Sequence, residues 1–553
     1  MWSWLTPAGR AWFAVAVLTL VGVGAVLAFA PLPWSVGPLV GDDAGYYLAI
    51  ARNYCLGYGL SFDRLHPTNG FNPLYPLVLI PLVRLLPPGL PIMACYRAGL
   101  LADFAAMVLA LFWFLRLLDA FLARGELSAE SRSHLRGAGV AFFALFVATK
   151  PHYGMDPPLV LLTGLWYLAR VARRGLLAPG TRAAALDGCL LGLLFLARVD
   201  SLPFLVAAWV LMALETIARR NPWGPFVGRV AVTAALCAPY LLYSTARFGT
   251  WLPVSARIKS SFPHLDLAQS LRTIRGTSLG PADHVTFVVA YPLAWVTIAL
   301  LAPRVARAVR ARSPLEPWSA ALGLMALYLV GRLSYMLLFS RADVQGGYFV
   351  LAPAFIVMAF VTALGALARR GQAAGLAGER RLAALGGSAL ALVAVLAFAA
   401  KLQLTLVRHQ GRGAHGAPND AQLGREIHDR TGRGDVIFGG SFGLAGFFSD
   451  RAWINGDGVA NNYEYQRMFL APGAHGEGGL EGYLRANHVT HVAFVLPSGM
   501  RPEGAAPIRL SAYSWLYDRL NEYEVWPRDI VLARPSGRGP PGSSTFYLAR
   551  WTP

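Results

Sequence analysis

The sequence predicts a polytopic α-helical membrane protein that ends in a small α/β domain. Three observations carry that prediction. The 553 residues are 55% hydrophobic and only 14% charged, with a mean hydropathy of +0.46, whereas about a quarter of the residues of a soluble domain are charged. Apolar runs of about 20 residues, each long enough to cross a hydrocarbon core, recur from Trp12 to Leu406. Beyond them the chain turns polar. It therefore divides into a membrane domain over 1–411, with a first outer loop at 33–93, and a separate tail over 412–553.

The charge pattern sets the orientation. Forty-nine lysines and arginines against 30 acids give a formal charge of +19. A basic balance fits a nucleic-acid binder. Here the arginines stand in short runs between apolar segments, which is the pattern of cytoplasmic loops, so no nucleic-acid partner is expected. Cys55, Cys95, Cys189 and Cys237 are scattered without disulfide or metal spacing.

The first apolar run, 11–32, follows Arg10 and contains Ala28-Phe29-Ala30, which looks like a signal cleavage site. Its length and the many runs after it identify it as an uncleaved anchor. With a cytoplasmic N-terminus, the loop that begins at 33 lies outside. The next apolar stretch, 72–86, is short and broken by Pro73, Pro76 and Pro81, so it reads as an interfacial or re-entrant helix. Spans then follow at 94–118, 137–150, 157–172, 184–197, 202–218, 230–246, 285–302, 318–339, 348–368 and 383–405. With 72–86 left out of the membrane, the arginine clusters at 116–136, 170–182, 219–229, 304–312 and 369–381 all fall inside. Counting it as a span puts them outside. The arginines thus favour about eleven spans and an extracytoplasmic tail in an inner or plasma membrane.

In the tail, 419–432 reads as a helix with Asn419 or Asp420 as cap and Gly432 as stop. The string DVIFGG reads as a short strand. Residues 478–488 and 511–522 read as helices, and VTHVAFV, DIVLAR and TFYLARW as strands. The Gly/Pro-rich 535–543 is a loop.

This topology gathers polar residues on the outer face. Asp42 and Asp43 follow the first span, and His66, Asn69 and Asn72 lie further along the same loop. Asp156 precedes two prolines in the second outer loop. Arg198 and Asp200 sit in the third, Arg257 and Lys259 in the fourth, and Arg341 and Asp343 after the span ending near 339. Charges at span ends are costly unless they face water or a partner. A carboxylate in such a cavity can act as general base toward an acceptor hydroxyl or amine. Arginine and lysine can hold the phosphate of a leaving group. A sugar carried on a polyprenyl phosphate supplies that leaving group, its tail lying among the membrane lipids. Each residue also has a plainer reading. Asp42, Asp43 and Asp156 can cap helices, Arg198 and Asp200 can form a local ion pair, and Lys259 can snorkel. His66 can be a turn residue, and Tyr46-Tyr47 an interfacial belt.

Five strings in the membrane domain, GDDAGYYLAIARN, HPTNGFNPLYP, GMDPPL, ARVD and FGTWLP, resemble the GT-C glycosyltransferase superfamily. The nearest resemblance is to bacterial glycosyltransferase 39-type membrane proteins, relatives of protein O-mannosyltransferases and the lipid A aminoarabinose transferase. It covers nearly the whole chain, and GSFGLAGFFSDRAWINGDGVAN in the tail resembles the extracytoplasmic domain of many such members. The resemblance implies a hexosyl or pentosyl transferase that takes its sugar from a polyprenyl-phosphate donor and passes it to an extracytoplasmic glycan, lipid or protein. It also implies that Asp42 is the catalytic acid, with Asp43 beside it, and that Asp156 is the acid of the second loop, where many relatives carry glutamate. Asn72 stands where many relatives have histidine. Some members use a divalent cation and others do not, and Asp42, Asp156 and His66 are too loosely spaced to define a metal site. The competing class is a transporter or flippase of lipid-linked sugars, which requires charged residues within spans and related halves; Asp103 and Asp187 are the acids nearest to that pattern.

Overall fold

A backbone in hydrocarbon must satisfy its own polar groups, so the long apolar runs become helices. The computed structural model describes residues 7–32, 40–124, 127–148, 153–220, 222–265, 281–340, 350–373, 420–440, 442–458, 479–497, 506–511, 522–535 and 544–551, with a few isolated positions between. The helices of the membrane domain are α1 (Pro7–Phe29), α2 (Ala44–Cys55), α3 (Leu74–Arg84), α4 (Ile92–Leu122), α5 (Ala129–Ala148), α6 (Pro157–Arg174) and α7 (Thr181–Ala197). They continue with α8 (Leu202–Arg219), α9 (Gly224–Phe248), α10 (Val254–Lys259), α11 (Pro281–Ala311), α12 (Pro317–Phe339) and α13 (Ala352–Ala373). Every expected span up to 348–368 falls on one of them. All of the expected span 383–405 except 385–387 and 389, and the domain boundary near 411, lie outside the described residues. Among the described residues, α1, α4, α8, α9, α11 and α12 are long and apolar enough to cross a membrane. The proline-broken segment forms α3, whose 11 residues rise only about 16 Å.

Aromatic stacking ties the centre of the bundle together. Trp113 of α4 stacks on Trp166 of α6 with centroids 5.0 Å apart, and Phe114 stacks on Phe143 of α5 at 4.3 Å. The acids inside apolar runs are fully engaged in holding helices. Asp103 accepts the Tyr75 hydroxyl at 2.6 Å and the Gly154 amide. Asp187 lies 2.7 Å from Arg170 and 3.0 Å from Arg229, which is wholly buried. Asp187 keeps its charge beside two arginines, whereas Asp103 is held by neutral donors, and both sets of contacts join separate segments of the bundle.

The tail contains α14 (Asp420–Arg430), β1 (Val436–Gly439), α15 (Gly443–Ser449), β2 (Ala452–Asn455), α16 (Gly479–Ala486), β3 (His491–Pro497), β4 (Ile508–Ser511), β5 (Glu522–Val525), β6 (Ile530–Pro535) and β7 (Ser544–Arg550). Five strands form one sheet in the order β2-β1-β3-β7-β6. β1 is parallel to β2 and β3, and β7 is antiparallel to β3 and β6. One expectation is corrected at its two end residues. The helix predicted over 511–522 has strand at both ends, because Ser511 pairs with Glu522 in the antiparallel β4–β5 ladder; the residues between lie outside the described set. Alternation in IRLS and EYEV is a strand signal that the helical reading overlooked. The crossover helix α15 is buried on every residue, because α14 packs along it on one side and α2 of the membrane domain on another.

Candidate active site

The loops expected on the outer face meet at one end of the bundle. A parallel bridge joins Val40 to Tyr153, so the segment before Asp42 runs beside the segment before Asp156. Gly154, at φ +84°, permits this: a Cβ there would stand 2.5 Å from that of Ala44. A second bridge joins Ser260 to Ser340, bringing the end of α10 to the end of α12.

Asp42 and Asp43 are half-buried and stand just before α2. The plain capping reading fails for Asp43, which makes no side-chain cap bond. Backbone carbonyls already do that work: Gly41, Asp42 and Asp43 accept from the amides of Ala44, Gly45 and Tyr46 at 3.2, 3.0 and 3.2 Å. The Asp42 carboxylate reaches across instead and accepts the Leu444 amide of the tail at 3.0 Å.

Asp156 also makes no side-chain cap, although it precedes α6. Pro158 removes the N2 amide, and the N3 amide of Leu159 donates to the Asp156 carbonyl at 3.0 Å. The buried carboxylate instead accepts the Tyr47 hydroxyl at 2.9 Å, and Arg198 Nη1 lies 3.1 Å from its other oxygen as a charge contact. Burial pushes this carboxyl above the usual range, against the opposing pull of Arg198 and the Tyr47 hydroxyl.

Arg198 is shared. Its Nε and Nη2 reach both oxygens of Asp200 at 3.1 and 3.0 Å, so the expected local ion pair exists and extends to the second loop. Asp200 in turn receives Arg332 of α12 at 2.7 Å, and Arg332 also donates to the Asp200 carbonyl. Asn72 closes the network, donating to the Tyr47 hydroxyl at 3.1 Å and accepting from the Val199 amide at 3.2 Å.

The other expected residues are less central. Asn69 is fully buried and clamps the loop after α9, donating to Ser244 at 2.8 Å and Leu252 at 3.2 Å and accepting the Val254 amide at 3.2 Å. His66 Nδ1 lies 2.8 Å from Asp63, whose other oxygen takes the His66 amide at 2.7 Å, a turn arrangement. Lys259 is half-buried and ends α10, beside the Ser260–Ser340 bridge. Arg341 lies outside the described residues. Among the described residues no three His, Cys, Asp or Glu side chains converge as a metal site would require, so no step is assigned to a divalent cation.

Sequence reasoning overlooked Arg332, although an arginine inside an apolar helix is itself a signal. It treated Tyr47 as a belt residue. It had no access to the tail, whose contacts with α2 join residues about 400 positions apart, such as Arg52 and Asp450, separated by 398.

A helical membrane bundle whose loops build an acid-and-arginine site at one end, capped by an α/β tail, defines the class: this is a polytopic membrane protein with the GT-C fold. Its structure is similar to ArnT from Cupriavidus metallidurans, both bound to undecaprenyl phosphate and in the apo state. In each case the TM-score is 0.53 at 12% identity, over 98% of both chains. The oligosaccharyltransferase of Archaeoglobus fulgidus gives a TM-score of 0.45 at 13% identity, over 88% of this chain and 70% of that one. No family model matches the sequence, and no curated protein matches it.

Proposed function

We propose that the chain is a glycosyltransferase that moves a sugar from a polyprenyl-phosphate donor to an acceptor on the face carrying the tail, outside the cell's inner or plasma membrane. The single observation behind this reading is the meeting of Asp42, Asp156 and the Arg198–Asp200–Arg332 network at one end of a membrane bundle. The fold likeness to a protein that binds undecaprenyl phosphate supports the donor class. Asp42, half-buried and oriented by an amide, takes the proton of an acceptor hydroxyl or amine. The acceptor atom then bonds to the anomeric carbon as the bond from that carbon to the phosphate oxygen breaks. The leaving lipid phosphate keeps the electron pair, and cations offset its charge. Asp43 is a second acid at the same mouth. Arg198 is already bonded to Asp156 and Asp200, so its role is to pose the two acidic loops. Lys259 and Arg341 are the candidates for the phosphate. The acceptor is a glycan, lipid or protein.

Purified protein in nanodiscs, given radiolabelled polyprenyl-phosphate hexoses and pentoses together with an envelope extract that supplies glycan, lipid and protein acceptors, is expected to release lipid phosphate. Asp42→Asn is expected to abolish that release while membrane levels hold. An intact donor with wild-type protein, or full activity in Asp42→Asn, overturns the reading.

A further inference from the structure

The tail touches the site through a main-chain atom. The Leu444 amide donates to Asp42 Oδ1 at 3.0 Å. Backbone packs on backbone at that point: a Cβ on Gly45 would stand 2.0 Å from the Gly443 carbonyl carbon, and one on Gly443 would stand 2.4 Å from the Asp42 carbonyl oxygen. α15 therefore lies directly against the first turn of α2. Its far end is held as well. Asp450, which caps α15 in a left-handed conformation at φ +53°, receives Arg52 Nη1 at 2.6 Å and also Arg64 Nη2. Arg64 Nη1 adds a bond to the Asp450 carbonyl at 3.2 Å. Neither arginine is loose: Arg52 Nε donates to the Leu90 carbonyl at 2.9 Å, and Arg64 Nε to Asn53 at 3.0 Å. Between the two ends, Asn455 donates to the Tyr46 hydroxyl at 3.0 Å.

α15 is thus held beside α2 at both ends, with the amide that orients Asp42 at one end and the Asp450 pairs at the other. We propose that Asp450 is a positioning residue for Asp42, and that the tail is a working part of the site. The proposal rests on the transferase reading above. Without the clamp, α15 drifts, the Leu444 amide leaves, and the Asp42 carboxylate rotates out of line with the acceptor. Asp450 itself touches neither substrate nor reacting atom.

The full chain in nanodiscs provides the test. Asp450→Asn is expected to lower kcat about ten- to a hundredfold with KM for the lipid donor unchanged. Asp450→Glu is expected to recover most of the loss. Amide exchange at Leu444 is expected to quicken in Asp450→Asn and to stay slow in Asp450→Glu. Arg64→Gln, which removes one of the two pairs, is expected to show a smaller fall in kcat and serves if Asp450→Asn fails to accumulate. A wild-type kcat in Asp450→Asn overturns the proposal and leaves the transferase reading intact. If the wild-type chain transfers nothing, the transferase reading fails, and unchanged Leu444 exchange in Asp450→Asn then removes the clamp as well.

Discussion

The two ends of the helical bundle use the same residues for opposite purposes. At the end away from the tail, Asp187 and Arg229 are 5% and 0% exposed, and Arg229 spends its remaining donors on the carbonyls of Pro225 and Ala178. Nearby, Arg219 pairs with buried Glu215 at 3.0 Å beside a cavity of about 620 Å³. At the end beneath the tail, Asp200 keeps 34% exposure while holding Arg198 and Arg332, and Asp42 and Asp43 are only half-buried. One end turns Asp187, Arg229 and Glu215 inward to lock helices, while Asp119 beside Arg136 stays 41% exposed there. The other leaves carboxylates within reach of water and of a substrate. Pairing alone does not distinguish a site from a strut.

That comparison can be broken in several places. Asp187→Ala strands two arginines, one of them wholly buried, and is expected to cost about 3–5 kcal/mol; thermal unfolding in detergent reads it, and an unchanged midpoint denies that this end is a lock. Tyr47→Phe removes the hydroxyl shared by Asp156 and Asn72. A cost of about 1.5–3 kcal/mol is expected, together with a larger fractional loss of transfer than Asp187→Ala shows per folded molecule. Equal specific activities would erase the distinction between the ends. Gly45→Ala forces a Cβ into the Gly443 backbone at about 1–3 kcal/mol; faster tryptic release of the tail, together with lost transfer, is the expected pair of results.

Acid provides a gentler probe. Burial pushes the Asp450 carboxyl up, but the bonds from Arg52 and Arg64 outweigh it and hold it below the usual range. A depressed carboxylate contributes its stability above the unfolded value of about 3.9 and loses it as pH falls through the lower folded value. Tail docking, followed by proteolysis, is therefore expected to stay constant above about pH 4 and weaken only below it. Weakening near neutrality would contradict the assignment. Smallest of all, Arg534→Ala removes an exposed pair with Glu426 and is expected to change stability by less than about 1 kcal/mol, with transfer unaffected.

Much of the fold was legible because its signals are local. Apolar length marked the helices, and the prolines at 73, 76 and 81 marked α3 as too short to span. Short runs rich in β-branched and aromatic residues marked β3, β6 and β7. The two ends of the helix expected over 511–522 were misread because the strand signal there is only four residues on each side. The candidate site was legible only as a set of charges at loop positions, and its wiring was not. Asp156 looked like a cap, and only the fold shows Tyr47 and Arg198 claiming its oxygens. The tail's share depends on Leu444 contributing a backbone amide, an atom every residue but proline possesses and no side-chain pattern reveals.

The seam between Gly45 and Gly443 has an evolutionary consequence. A surface where two main chains touch admits no side chain on either partner, so the two halves can change only in concert. A chimaera that borrows its tail from a relative will work only when the borrowed crossover helix arrives with its own bare backbone at that spot. Grafting experiments should therefore move the opening loop and the tail as one inherited unit.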